Sequence, residues 1–407
     1  MTINFRRSST LSFIIKAVAV LVIGILFGLS IIFLITALPF SFDNKLYKSF
    51  GIKKQQIIGF QPYWLLQKAD KPYEKYINVF TYFGLIIDND GTIVKLVNPQ
   101  EEEPGWTWLK SDLFQEKLKQ AQKNHLKSSL LIQNINEISI NTLLKEPEKH
   151  AQNLIADVLP IMQKYGFTDL NLDIESFVEA SESAQRQYTA FIKEVKKGIE
   201  ENNLGTLTVE ITPVSLVAPR LINVEEIGKI ADYLVLMAYD FHYAGSYLTG
   251  PVAPMGGEGK VREYDINTAL IETLNVVSPR KVILGIPLYG YEWETISDKP
   301  GAPTIPGSGA TASNRRITEM LKSCTNCVKG FDELAQQPYI VFPDSDGYHQ
   351  VYYEDEKSIQ AKLGLAKEYQ IAGVALWALG YEGNNLLDPL KTYKKSFDFD
   401  PSLGIVN

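Results

Sequence analysis

Tyr165-Gly166-Phe167-Thr168-Asp169-Leu170-Asn171-Leu172-Asp173-Ile174-Glu175 sets Leu170, Leu172 and Ile174 in alternation with Asn171, Asp173 and Glu175. A period of two reads as a β-strand with one apolar face and one face of acids and amide. A water-facing edge strand would show the same alternation. Residues 151–165, however, have helical spacing, and residues 233–237 are a nearly unbroken apolar run. Strands and helices therefore alternate, as they do where parallel strands are covered on both faces. In that setting Asp173 and Glu175 point into the centre of a sheet or barrel.

The spacing bears on mechanism. Residues two apart on a strand lie on one side, with Cα atoms roughly 6.6–6.8 Å apart. The usual glycosidase pair instead flanks the bond, about 5–5.5 Å apart for retention and 6.5–9.5 Å for inversion. Two acids on one strand suit another division, in which one donates a proton and its neighbour orients the substrate while the nucleophile comes from elsewhere. Close carboxylates also push their pKa values apart, leaving one protonated near neutrality.

Asp173-Ile174-Glu175, with Asn171 before it, resembles the tail of the D-x-x-D-x-D-x-E signature of family-18 glycoside hydrolases, the chitinase-like (β/α)8 barrels. Met237-Ala238-Tyr239-Asp240-Phe241-His242, Gly285-Ile286-Pro287-Leu288-Tyr289-Gly290-Tyr291 and Gly373-Val374-Ala375-Leu376-Trp377-Ala378-Leu379-Gly380 resemble the family's sixth, seventh and eighth strands, in order. The chain departs from the typical chitinases in three places. Leu131-Ile132-Gln133-Asn134 replaces a small-residue pattern on the third strand, Thr168-Asp169 replaces Asp-Gly, and Asn171 replaces the first central acid, removing a charge that could help cycle protons. Asparagine there is similar to bacterial cell-wall and spore-cortex members.

The resemblance implies an α/β fold, a (β/α)8 TIM barrel, with its site at the carboxyl ends of the strands. It implies Glu175 as general acid, Asp173 as the group that orients and stabilises a 2-acetamido substituent, and Tyr239 as a hydroxyl donor to the acetamido oxygen. Trp377 would floor the reacting sugar, with Asp240, Asn171 and Tyr289 as further substrate contacts. Cleavage would be retaining and substrate-assisted, on N-acetylglucosamine-containing glycan of the chitin or peptidoglycan type, with no metal or cofactor. The other class of reading is a lectin-like barrel that only binds glycan. Such barrels have typically lost the acid, which this chain keeps.

The chain has 407 residues, 45% hydrophobic and 21% charged, enough for one barrel-sized domain plus extras. A net charge of −7 argues against a nucleic-acid partner, and a monomer is expected. Residues 17–40 carry no charge, and as a helix this run would be about 36 Å long, enough to cross a hydrocarbon core of roughly 30 Å. The competing reading, a cleaved signal peptide, normally has an apolar region of about 7–15 residues, and Thr36-Ala37-Leu38-Pro39 is a poor cleavage site. Lysines and arginines on both sides leave orientation open by charge, and the expected substrate places the amino terminus inside. The expected organisation is residues 1–44 as cytoplasmic tail and single-pass membrane anchor, 45–55 as linker, 56–395 as an extracellular catalytic barrel, and 396–407 as tail.

Within the barrel, residues 292–354 are too long for an ordinary loop. They are expected to form a small α+β insertion after strand seven, containing a flexible tract at 300–313, a helix at 315–321 and a hairpin turning at Asp344-Ser345-Asp346-Gly347. Cys324 and Cys327, the only cysteines, could be a redox centre or half a zinc site. Without a second pair, and with four His in the chain, a local disulfide is preferred. Trp106 and Trp108 are expected in a loop, either stacking on sugar or covering the barrel rim. For the anchor, full-length protein should sediment with membranes and resist high-salt extraction, whereas residues 55–407 should be soluble. A mature soluble form beginning near Pro39 or Ser41 would support the signal peptide.

Overall fold

Strands form where branched and aromatic residues cluster between polar turns, and eight such runs close on one another. They are Gln56–Pro62 (β1), Val79–Ile86 (β2), Lys127–Asn134 (β3), Asp169–Ile174 (β4), Thr206–Ile211 (β5), Tyr233–Leu236 (β6), Val282–Pro287 (β7) and Gly373–Trp377 (β8). Each pairs in parallel with the next, and β8 returns to β1 from Gln56↔Gly373 to Gly59↔Leu376, closing an eight-stranded barrel. The computed structural model describes residues 55–260 and 263–396. The expected membrane span at 17–40, nearly all of the linker and the tail beyond 396 lie outside the described residues. Among those described, no helix is long and apolar enough to cross a membrane.

The alternation in β4 separates two cores. Leu170, Leu172 and Ile174 face outward into the large cluster that the strands share with the helices, where they meet residues such as Leu154, Val158, Phe191 and Ile192. The barrel interior holds a smaller apolar cluster, including Ile58, Phe60, Phe83, Leu131 and Ala375. The rest of that interior is polar: Ser129, Asp169, Asn171, Asp173, Thr208 and Glu210 are all buried. Gly166, at φ 70°, caps the helix Pro147–Tyr165 in the left-handed conformation and turns the chain into β4.

The insertion is a five-stranded antiparallel sheet in the order Ala310–Ser313, Tyr289–Thr295, Gly347–Tyr352, Gln337–Asp344, Val328–Asp332, with the helix Asn314–Ser323 on one face. Its first strand begins at Tyr289, three residues before the expected boundary at 292. The tract expected to be flexible ends in a paired strand, Ala310–Ser313. One face carries Ala312, Ile317, Ile340 and Val351. The other carries Tyr289, Tyr291, Trp293 and Tyr352, packed beside Trp377. Cys324 and Cys327 are disulfide-bonded, as expected.

Trp106 and Trp108 lie in a short helix, Pro104–Leu109, and not in a loop. Glu103 caps it by accepting from the Trp106 N–H at 2.6 Å, and both tryptophans pack on the outer core. Lys95 and Lys110 lie 5.6 and 5.4 Å from the Trp106 ring. The sixth strand stops at Leu236, because Ala238 and Tyr239 turn back, their N–H groups donating to Leu236 and Met237 carbonyls.

One fully buried ion pair ties the insertion to the helix Glu356–Glu368. Lys362 Nζ lies 2.9 Å from the Glu354 carboxylate, and both side chains are 0% exposed. Gln337 Nε2 donates to Glu354 at 2.6 Å, and Ser358 Oγ donates as well. Removing one partner strands a buried charge, which costs about 3–5 kcal/mol. Lys362→Met should therefore lower the thermal midpoint by several degrees or more, and the double variant Lys362→Met/Glu354→Gln should recover part of the loss. An unchanged midpoint in the single variant would show that the pair is not needed.

Candidate active site

A cavity of about 980 Å³ opens at the carboxyl end of the barrel. Its two sides differ. Phe60, Trp64, Phe83 and Trp377, from β8, β1, β2 and the turn after β1, form an aromatic side. Asp173, Glu175, Glu210 and Asp240, from β4 and its end, β5 and the turn after β6, form an acidic one, joined by Glu258, Glu263 and Glu272 from the connection between β6 and β7. Trp377 is fixed by edge contacts to Phe83 at 4.7 Å and Trp64 at 6.4 Å, and by a tilted contact to Phe60 at 5.9 Å. Glu175, Tyr239 and Trp377 thus converge on one cavity.

Tyr239 reaches it through space left by Gly285 on β7, where a Cβ would sit 2.9 Å from the Tyr239 ring and 2.8 Å from the Leu236 carbonyl oxygen. Asp240 stands at φ 60°, a left-handed conformation uncommon outside glycine that aims its carboxylate at the insertion. Its Oδ1 accepts from the Tyr289 hydroxyl and, at 3.2 Å, from Tyr291.

The electrostatics follow from enclosure. Burial, then the Glu175 charge, holds Asp173 well above the usual carboxylate range. Burial, then Asp240, pushes Glu175 up to about 7. Burial, then Asp173, raises Glu210 far above its ordinary value, and the hydrogen bond from Asn171 opposes this. Asp240 is exposed on the open side of the cavity, but the surrounding walls still desolvate its carboxyl and raise it against the pull of the two phenols. Burial and neighbouring carboxylates also raise Tyr239, so its hydroxyl stays protonated and able to donate. Among the described residues, none of Asp173, Glu175, Glu210 and Asp240 has a salt-bridge partner to offset its desolvation.

Two residues expected against substrate lie elsewhere. Asn171 is 0% exposed, one step deeper on β4, and does not line the cavity; its Nδ2 donates to Glu210 Oε1 at 2.9 Å. Tyr289 is 3% exposed and does not line the cavity, but it touches two residues that do: its hydroxyl donates to Asp240, and its ring packs edge-on against Tyr239. Glu210, conversely, is a site residue that the motifs did not reveal. The signal for it is positional: in Thr206-Leu207-Thr208-Val209-Glu210-Ile211 it shares the inward parity of Thr208 on a strand buried along nearly its whole length.

Residues 53–382 match the profile of the family described as Glycosyl hydrolases family 18. The cortical fragment-lytic enzyme of Bacillus subtilis (strain 168) is 26% identical over 345 residues, covering 82% of this chain and 72% of that protein. The crystal structure of the Ostrinia furnacalis group IV chitinase in complex with allosamidin superposes with a TM-score of 0.73 at 20% identity, over 84% of this chain and 99% of that one. The Bacillus cereus spore cortex-lytic enzyme SleL gives a TM-score of 0.65 at 22% identity, over 83% of this chain and 74% of that one.

A carboxyl whose pKa is raised in the folded state binds its proton more tightly there than in the unfolded chain, so its contribution to stability is lost as pH rises through the folded value. For Glu175, raised from 4.5 to about 7, the loss above neutrality is on the order of 3 kcal/mol. Glu175→Gln should therefore melt higher than the wild type at pH 8, with the gap closing toward pH 5. A gap independent of pH would show that Glu175 is not held protonated by its surroundings.

Proposed function

The chain belongs to glycosyl hydrolase family 18, and from that membership we propose that it cleaves β-1,4 bonds in N-acetylglucosamine-containing glycan by a retaining, substrate-assisted mechanism, at the outer face of a membrane that residues 17–40 span. The carrying observation is the division of the cavity: the acids come from β4, β5 and the connection from β6 to β7, and the β8–β1–β2 side offers aromatic rings. A glycoside seated on Trp377 meets carboxylates from one direction. No acid among the described lining residues comes from the aromatic arc to attack the opposite face, so the substrate brings its own nucleophile.

Glu175, with its proton retained up to about pH 7, protonates the glycosidic oxygen. The acetamido carbonyl oxygen attacks the anomeric carbon as the bond to the leaving sugar breaks, giving an oxazolinium intermediate. Asp173 accepts the acetamido N–H and balances the charge developing there, while the Tyr239 hydroxyl donates to the acetamido oxygen. Water, deprotonated by the Glu175 carboxylate, then opens the ring with net retention. Asp240 is positioned by Tyr289 and Tyr291, and its charge contributes to raising Glu175. Asn171 and the likeness to a cortical fragment-lytic enzyme favour peptidoglycan-type glycan.

Glu175→Gln should lower turnover by on the order of 10²–10⁴-fold while leaving glycan binding nearly intact. In the wild type, kcat/KM should fall as pH rises through about 7, because the acid form is then lost. Chitin oligomers or peptidoglycan strands should be cut, and a thiazoline analogue of the intermediate should inhibit. Efficient hydrolysis of fully deacetylated glucosamine chains, which have no carbonyl oxygen to attack with, would overturn the mechanism.

A further inference from the structure

Glu210 takes no part in the steps above, although it is 2% exposed and borders the cavity. The β4–β5 ladder runs Asn171↔Thr208 and Leu172↔Val209, so its next rung sets Asp173 beside Glu210. Adjacent strands are roughly 4.7–4.9 Å apart, and both side chains point inward. Glu210 Oε1 accepts from Asn171, whereas Glu210 Oε2 and Asp173 Oδ1 are both fully buried with no hydrogen-bond partner. Leaving such atoms unpaired is costly, and more so when they are charged. One proton placed between the two oxygens would satisfy both.

We propose that Asp173 and Glu210 share a single proton across the β4–β5 ladder, and that Glu210 holds it while Asp173 presents its carboxylate to the substrate's acetamido N–H. The catalytic half of this rests on the substrate-assisted reading. The proton passes from Asp173 to Glu210 Oε2 when substrate binds and returns when product leaves, so the pair keeps one negative charge throughout. Glu210 is thus a positioning residue acting through Asp173, and Asn171 is the clamp that fixes it. The acid that the D-x-x-D-x-D-x-E pattern carries at position 171 is supplied here from the neighbouring strand, with the amide and carboxylate exchanged. The other titratable groups facing the pair are Asp169 on β4, Glu175 just past its end, Tyr239 beyond β6, and Tyr188 from the helix Glu182–Glu201.

The exchange supplies the test, made on full-length protein in detergent. Infrared difference spectra of the wild type should show a protonated carboxyl that persists above the titration of Glu175, and Glu210→Gln should abolish it. Glu210→Gln should lower kcat on the order of tenfold or more with KM little changed, since the defect lies in the charge state of Asp173 and not in binding. The swap Asn171→Asp/Glu210→Gln keeps volume, charge count and the 171–210 hydrogen bond with its direction reversed, and should restore most of kcat. A wild type without the persistent carboxyl, full activity in Glu210→Gln, or a folded swap variant as slow as the single one would each overturn the proposal. The wild-type spectrum needs no variant to fold and no turnover. A chain that proved inactive on every glycan would therefore refute the proposed reaction while leaving the shared proton to be decided.

Discussion

Desolvation inside a closed barrel is the constraint on which this structure depends. A parallel barrel has no wet face, so every inward side chain of β4 and β5 leaves water whether or not it is charged. Burial is accordingly the largest cause of the raised pKa at Asp169, Asp173, Glu175, Glu210 and Asp240, ahead of any neighbouring charge. An acid that holds its proton to neutrality is what the proposed protonation of a glycosidic oxygen requires, and the barrel produces one without a dedicated partner. The stability cost is offset elsewhere, by the larger apolar cluster between strands and helices.

The polar column is graded along β4, and the grading explains how it is tolerated. At the bottom, Asp169 accepts from Ser129, Thr206 and Thr208 at 2.6, 2.5 and 2.9 Å, so that burial raises it only to about 6. At the top, Glu175 meets the cavity and its water. Between them, Asn171, Asp173 and Glu210 lack the three donors that Asp169 has, and there Asn171 Oδ1, Asp173 Oδ1 and Glu210 Oε2 are left unpaired. Unsatisfied polar atoms in a buried network mark the place where chemistry outweighs packing.

Much of this was legible in the sequence because β4 writes its two faces in strict alternation, and because the matched motifs occur in strand order. The disulfide and the hairpin at Asp344-Ser345-Asp346-Gly347 were equally local signals. What was missed depends on relations between elements. Glu210 is one acid in an ordinary strand, and its meaning appears only when the β4–β5 register sets it beside Asp173. Asn171 and Tyr289 carry the right residue types, but depth along the barrel, which no spacing encodes, removes them from the cavity surface. Trp106 reads as a loop residue until Glu103 and Pro104 are recognised as cap and first turn of a helix.

Trp377 shows why packing and recognition cannot be separated at this site. It borders the interior barrel cluster and the aromatic face of the insertion sheet, and also lines the cavity. Its backbone carbonyl accepts from the Leu288 N–H at 2.6 Å, on the segment joining β7 to Tyr289, the first residue of the insertion sheet. The same indole thus supports the sheet whose Tyr289 and Tyr291 hydroxyls hold Asp240, a charge that raises Glu175. Removing the ring would loosen a chain of contacts that runs from the aromatic side of the cavity to the Glu175 carboxyl. A Trp377 variant is therefore expected to change kcat and its pH dependence as well as KM, whereas a ring that only supported the sugar would change binding alone.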